Sequence, residues 1–517
     1  MKKLLLIASL LFAHGLYSQT YSDDVAQLIF DNCASCHNPS GIAPFSLMNY
    51  QEVTAEAAGI YDAIAQDVMP PWPPNDDYVP FSHSRALEET EKTTILDWLQ
   101  NGMPEGNTAN TPAPPVFNTD AVLGAGDLEV QMPTYMSKAT AVSDDYVCFS
   151  IPSNLLEDKK IKAMEVIPGN PEIVHHCLVY IDEDGTYQTD STSGNCGGPS
   201  NAILVGGYTP GSSPLVFPNG PDLKLGMTIP ENSNIIFAMH YPGGSYGEFD
   251  STKVNFHFYD DQETGIRDVS AAPILQNWSF ELEPDEITPV TASYAGSGLD
   301  FSLLSVFPHM HLLGKNIRSY ALTPTNDTIR LIDVPRWDFH WQDFYVYKNL
   351  VKIPGGTSMH AEGNFDNTVN NTHNPNNPPQ TVYPGLNTTD EMFLVYFHFL
   401  LYEEGDEDHD LEEMTSLSLE EMLPKSSNTS FSVYPNPTKG ETTIDIKGDQ
   451  AENNMSVSIY DMNGRLIKVL AQGMSFTDKK SLNWDGTGKN GATVQNGIYH
   501  VSVRLNGNHY SQRIVKQ

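Results

Sequence analysis

Positive charge is scarce in this sequence. Its 517 residues carry 28 Lys and Arg against 65 Asp and Glu, a formal net charge of -37. Nucleic acid is thereby excluded as a partner, because its phosphates would be repelled over most of the surface; the acidic excess serves solubility. Long apolar runs are missing as well. Beyond the N-terminal stretch no segment reaches the ~18 consecutive apolar residues that a spanning helix needs, so no membrane span is expected. Cysteine is rare, with five in the whole chain, which excludes a disulfide-built scaffold.

What is present begins with an export pattern. Lys2 and Lys3 precede the apolar run Leu4 to Phe12, and small or polar residues follow before Gln19. Residues 1–18 therefore read as a secretory signal peptide, and the mature protein is expected to be secreted or held at the cell surface. The chain is too long for one hydrophobic core. At roughly 100 to 200 residues per domain, three or four are expected.

The texture changes along the chain in step with that expectation. Residues 22–106 carry apolar positions at helical spacing, such as Val25, Leu28 and Ile29, then Ile95, Leu96 and Leu99. Residues 107–125 open with Asn, Thr and Pro and suit an extended linker. From about 126 to 402 short apolar or alternating runs, such as Ile235 to Met239 and Met392 to Leu400, are separated by Gly, Pro and Asn, which predicts two β-sandwich domains, 126–275 and 276–402. The acidic run Glu403 to Glu413 and the Ser-rich stretch to residue 430 read as a solvated linker. Residues 431–517 again alternate like a β domain.

Two groups of residues carry chemistry. In the first, Cys33-Ala-Ser-Cys36-His37 has the spacing by which two thiols attach haem c covalently and the adjoining histidine ligates its iron. With no second Cys pair nearby, the motif cannot complete a four-thiolate zinc site. Met69, in Val68-Met69-Pro70-Pro71-Trp72, is the first candidate for the sixth ligand, with Met103 and His83 as competitors. The remaining Cys148, Cys177 and Cys196 permit one disulfide bond and leave one thiol over. Every pairing is open, and Cys177 with Cys196, closing a short polar loop, is preferred.

The second group is an ordered series of imidazoles and a thioether: His175 and His176, then His240 before Tyr241, His309 and His311 around Met310, and Met392 after Asp390-Glu391. A strand's period of two points His309 and His311 to one face, where they can share a metal, whereas adjacent His175 and His176 point oppositely on an ideal strand and need a local bulge or twist. Neutral imidazoles suit copper in both oxidation states, and a soft thioether favours Cu(I).

Taken in order, Val174-His175-His176, Met239-His240-Tyr241, His309-Met310-His311-Leu312-Leu313-Gly314-Lys315 and Thr389-Asp390-Glu391-Met392 resemble the copper type II, ascorbate-dependent monooxygenases, the family of the peptidylglycine alpha-hydroxylating and dopamine beta-monooxygenases. The resemblance spans roughly residues 126–402. It implies two copper ions: one on His175, His176 and His240 that stores an electron, and one on His309, His311 and Met392 that binds O2 and abstracts hydrogen from a small-molecule substrate. It also implies two jelly-roll-like copper domains. Tyr396 matches the tyrosine of the family's substrate clamp. Phe307 stands where the peptide-hydroxylating branch has arginine, and Leu394 where it has asparagine, so an apolar or aromatic substrate is expected over a carboxylate-terminated peptide; for Phe307 itself a plain core role is preferred.

Two further resemblances complete the organisation. Residues 22–106 resemble small all-α class I cytochromes c, whose haem, reduced by an external electron donor, would feed the copper centres. Phe431 to Gly440, Tyr460 to Arg465, Asn496 to His500 and the basic Arg513 and Lys516 resemble the type IX secretion sorting domain, an Ig-like β-sandwich read by the type IX secretion machinery. The expected whole is a multidomain secreted copper monooxygenase with a fused haem. The rival class is a non-catalytic copper and haem electron-transfer protein of the cell surface.

Overall fold

The computed structural model describes residues 19–39, 41–115, 121–141, 143–192, 196, 202–422, 430–447, 452–461, 466–476, 479–489, 491–505 and 508–517. The signal peptide expected over 1–18 lies outside them, as do 462–465 of the sorting motif. The chain forms two units, residues 1–423 and 424–517.

The larger unit opens with short helices, Ala26–Asn32, Tyr50–Ala55, Ala57–Ala65 and Glu89–Gln100. Their apolar faces close a small core around Val25, Ile29, Val53, Ile95 and Trp98. Glu88 and Glu91 start the last helix with a reciprocal capping box, which satisfies two otherwise orphaned backbone donors.

Two β-sandwiches follow. In the first, a four-stranded sheet runs Asp145–Pro152, Asn234–Tyr241, His176–Asp182, Ile203–Tyr208, and it faces a six-stranded sheet centred on Lys159–Ile167 and Lys253–Phe258. The second pairs a sheet ordered Ser270–Asn277, Phe393–Leu401, Phe301–His309, Tyr345–Ile353 with a sheet ordered Ile287–Tyr294, Ser358–Asp366, Gly314–Leu322, Thr328–Val334. Alternation explains how the sandwiches meet. Along Asn234–Tyr241 the residues Ile235, Phe237, Met239 and Tyr241 enter the first core, while Ile236 and Ala238 join a separate apolar cluster with Cys148, Tyr180, Leu204 and Phe307 of the second sandwich. Both faces of that sheet are therefore dry, which is why its central strand reads as a continuous apolar run. His398 pins the join: Nε2 donates to the Leu204 carbonyl at 3.2 Å and Nδ1 accepts from Ser305 Oγ at 2.9 Å.

Two expectations need correction. The disulfide joins Cys148 to Cys196, with Cα atoms 5.8 Å apart. Cys177 is excluded because strand alternation turns it into the first sandwich's core, opposite to His176 and Leu178. Paired backbone hydrogen bonds between Cys148 and Asp190 instead bring the following loop back onto the Cys148 strand. The stretch expected as a solvated linker from 403 also folds back through residue 422. Asp406 is buried in a bidentate pair with Arg267 at 2.6 and 2.9 Å, and the helix Leu411–Met422 buries Leu411 in the first sandwich's core. Residues 423–429 lie outside the described residues.

The helical module is docked rather than merely tethered. Its segment 70–85 runs along the second sandwich, where Asn75 bonds Asp333, Ser82 N–H donates to the Val346 carbonyl at 2.8 Å, and Phe81 stacks on Tyr347. The smaller unit is a β-sandwich of its own, with Ile444, Val457, Trp484, Val501 and Ile514 at its centre.

Candidate metal centre

The period of two that buries Ile236 and Ala238 between the sandwiches carries His240 onto the same face, and the neighbouring strand does so for His176, Leu178 and Tyr180. His176 and His240 are direct cross-strand partners. His175 sits in the turn just before its strand, its N–H on the His240 carbonyl at 3.0 Å, so alternation does not bind it and its ring swings to the same side. The three imidazoles each offer a ring nitrogen within 4.8 Å of the other two.

Protonation favours a cation there. Asp144 Oδ2 lies 2.8 Å from His240 Nε2, and a carboxylate only accepts, so Nε2 carries the proton and Nδ1 presents its lone pair. That lone pair faces His176 Nδ1 at 3.3 Å, and His175 Nδ1 faces the same atom at 3.4 Å. Burial, reinforced by the neighbouring imidazoles, pushes His175 down to about 3 and His176 well below the usual histidine range. Burial also lowers His240, with Asp144 opposing. Burial raises the Asp144 carboxyl, but the bonds from His240 and the Gly243 N–H outweigh it and hold it at about 2.

His309 ends its strand and His311 follows it, with ring centres 5.0 Å apart and planes nearly perpendicular, while Met310 between them enters the second core. His309 Nδ1 donates to Gln342 Oε1 at 2.5 Å and His311 Nδ1 to the Asp390 carbonyl at 3.0 Å, so in each neutral ring Nε2 carries the lone pair. Burial takes His309 to about 4 and His311 to about 3. Met392 is buried at the start of the paired strand. The wholly buried Glu391 ties these pieces together: Oε2 accepts from His311 N–H at 2.9 Å and Met392 N–H at 3.3 Å, and Oε1 from Leu313 N–H at 2.6 Å.

His176 of the trio and both His309 and His311 line one small cavity of about 50 Å³ between the sandwiches, with Tyr146, Leu178, Phe339 and Gln342. Phe307 is buried in the interdomain cluster, and Tyr396 packs edge-on against it at 6.3 Å between ring centres.

Several contributors are invisible as motifs. Asp144 and Gln342 act through hydrogen bonds that only the fold creates, and so does Glu391, which the sequence shows only as a neighbour of Met392. His340, from Trp337-Asp-Phe-His-Trp341 in the second sandwich, brings its ring to 5.9 Å from that of His175. A hydrogen bond that His340 donates to the Asp338 carboxylate raises the His340 pKa against its burial. The aromatic interleaving of that stretch is the one sequence signal that could have marked it.

In the N-terminal module Cys33 and Cys36 are both unpaired. His37 Nδ1 lies 3.1 Å from the Phe45 carbonyl, to which it donates, leaving Nε2 free. Met69 is 43% exposed after the helix Ala57–Ala65. Met103 packs on the module's core, and His83 turns away to Thr415 at 3.0 Å.

Comparison with known proteins assigns two regions. Residues 291–422 match the family described as copper type II ascorbate-dependent monooxygenase, C-terminal domain. Residues 432–517 match the secretion system C-terminal sorting domain. The chain therefore carries a copper-monooxygenase-type domain and an export tail, and its destination is secretion or the cell surface. No helix among the described residues is long and apolar enough to cross a membrane. None of the curated proteins matches the chain. Solved structures with some likeness include PorZ, a surface component of the type IX secretion system of Porphyromonas gingivalis (23% identity, 24% of this chain and 15% of that one, TM-score 0.13). Dimeric latent PorU from the same organism (12%, 72% and 34%, 0.16) and a beta-galacturonidase from Eisenbergiella tayi (11%, 44% and 35%, 0.13) are two others. The chain spans about a third or less of each of the three.

Proposed function

We propose that the protein is a secreted two-copper monooxygenase that inserts one atom of O2 into a C–H bond of a small organic substrate, the other atom leaving as water with two electrons and two protons. The observation that carries this reading is the single cavity between the sandwiches lined by His176 of the histidine trio together with His309 and His311. The donor sets fit copper: the three imidazoles of the trio bring ring nitrogens together and are held neutral by burial, and the second set has a buried thioether just before the adjoining strand. Bound copper would supply one-electron transfer and O2 activation.

The chain's own residues set the conditions for that chemistry. Asp144 and Gln342 fix the tautomers of His240 and His309. Glu391 holds His311 and Met392 in register. Leu178 and Phe339 give the cavity apolar walls, and about 50 Å³ leaves room for only a few water-sized molecules. On this reading the trio stores an electron while His309, His311 and Met392 hold the oxygen-reactive ion; Tyr396 borders the substrate side, and the haem reading places a c-type haem on Cys33, Cys36 and His37, with Met69 as sixth ligand. His37 fits that role, since its Nδ1 is engaged by a carbonyl and its Nε2 is free. The type IX machinery exports the chain and an external donor supplies electrons.

The test is turnover of small apolar and aromatic substrates under heavy-isotope dioxygen. A hydroxylated product carrying one labelled atom, lost in His309→Ala and Met392→Ala, is expected. Turnover that persists in either variant overturns the reading.

A further inference from the structure

The haem motif does not face solvent alone. Cys36 Sγ lies 3.4 Å from the Pro210 carbonyl oxygen of the first sandwich. The next residue, Gly211, has φ +77°, and a Cβ there would stand 3.2 Å from Cys36 Sγ and 2.9 Å from Ser35 Oγ. Glycine thus supplies both the left-handed turn and the close approach. Arg85 of the module donates to the same Pro210 carbonyl at 3.4 Å and lies over the Trp341 ring of the second sandwich at 4.9 Å. A cavity of about 290 Å³ flanks the contact on the Asn38 side.

From this contact a short route leads to the trio. Pro210 is joined through Thr209 to Tyr208, which ends the strand Ile203–Tyr208. Tyr208 is the cross-strand partner of Cys177, and Cys177 is bonded to His176. Electronic coupling decays steeply across gaps between groups and slowly along bonds. This route has one gap, one strand pairing and a few covalent links.

We propose that residues 208–211 of the first sandwich are the electron-receiving surface of the copper centre, taking electrons from the thioether edge at Cys36 and passing them along the paired strands to His176. The inference rests on the haem reading above. Each passage removes one electron from a ferrous haem held by Cys33 and Cys36 and leaves it on a cupric ion held by His175, His176 and His240. No bond forms or breaks and no proton moves. A one-electron donor outside the chain then reduces the haem again. The contacts of Asn75 and Phe81 with the second sandwich hold the module in place, so delivery does not depend on the 107–115 segment.

The experiment uses the full chain carrying haem and copper, without oxygen. A pulse of reductant reduces the haem, and its reoxidation by cupric ion is followed optically. Gly211→Val, which drives a side chain into Cys36, and Ser35→Trp, which opens the same gap from the module side, are each expected to slow that step at least tenfold with haem and copper contents unchanged. Should Gly211→Val fail to fold, Ser35→Trp carries the test. A wild-type rate in Ser35→Trp with full haem and copper overturns the route and leaves the haem reading standing. Absence of covalent haem from the wild-type chain in a pyridine-haemochrome assay overturns both.

Discussion

Removing the Asp144 carboxylate should weaken copper at the trio while leaving the fold in place. Asp144 Oδ2 lies 2.8 Å from His240 Nε2, and Oδ1 accepts the Gly243 N–H at 2.8 Å. Loss of the first bond frees His240 to carry its proton on Nδ1, the atom that faces His176. It also removes the negative charge that makes the imidazole a stronger donor. Carboxylates behind metal-bound histidines are worth about 10–100-fold in metal affinity, or about 1.4–2.7 kcal/mol. Asp144→Ala is expected to fall in that range. Asp144→Asn, whose amide oxygen still accepts from Nε2, should lose less. Competition with a chromophoric chelator measures the affinity, and the His309/His311 group serves as an internal reference because Asp144 does not bond to it. Affinity within twofold of the wild type in Asp144→Ala would refute the argument that this carboxylate sets the trio's tautomer and donor strength.

Glu391→Gln replaces one acceptor oxygen with a donor facing a backbone N–H, at a site where burial already lifts the acid to about 8. It should cost about 1–3 kcal/mol in urea unfolding and loosen copper at His311 and Met392, and unchanged stability together with unchanged copper retention would count against the tie. Metal-free protein should also be acid-labile: His311 titrates at about 3 when folded and near 6.5 when unfolded, so between those values the unfolded chain binds more protons and stability falls as pH drops. The penalty is about 2 kcal/mol for this group at pH 5, with His398, buried and lowered to about 4, adding to it; equal melting temperatures at pH 7 and pH 5 after chelation would refute it.

Much of this organisation was legible because strand period and motif order are local. Ile235 to Met239 announced a strand of a β-sandwich, and the order of His175, His176, His240, His309, His311 and Met392, through its family resemblance, gave the two donor sets now proposed. What was not legible depends on register between distant segments. Asp144 reaches His240 only because Asp145 pairs with Tyr241 across the sheet, and Glu391 reaches His311 only because His309 pairs with Leu394. Cys196 reaches Cys148 only because Asp190 pairs back to the Cys148 strand. The acidic run misled because composition alone hides a buried partner: Arg267, far earlier in the chain, takes Asp406 out of solvent, and Leu411 enters a core that it does not adjoin in sequence.

Copper stoichiometry tests the central claim most directly. Elemental analysis of the purified full chain after copper loading and removal of loosely held metal should give two ions per chain, falling to one in His176→Ala and to one in His309→Ala, with the thioether signature in the X-ray absorption of Cu(I) surviving only in the first variant. A wild-type chain that holds a single copper, or a His309→Ala chain that keeps both, would contradict the account of two donor sets meeting at one cavity.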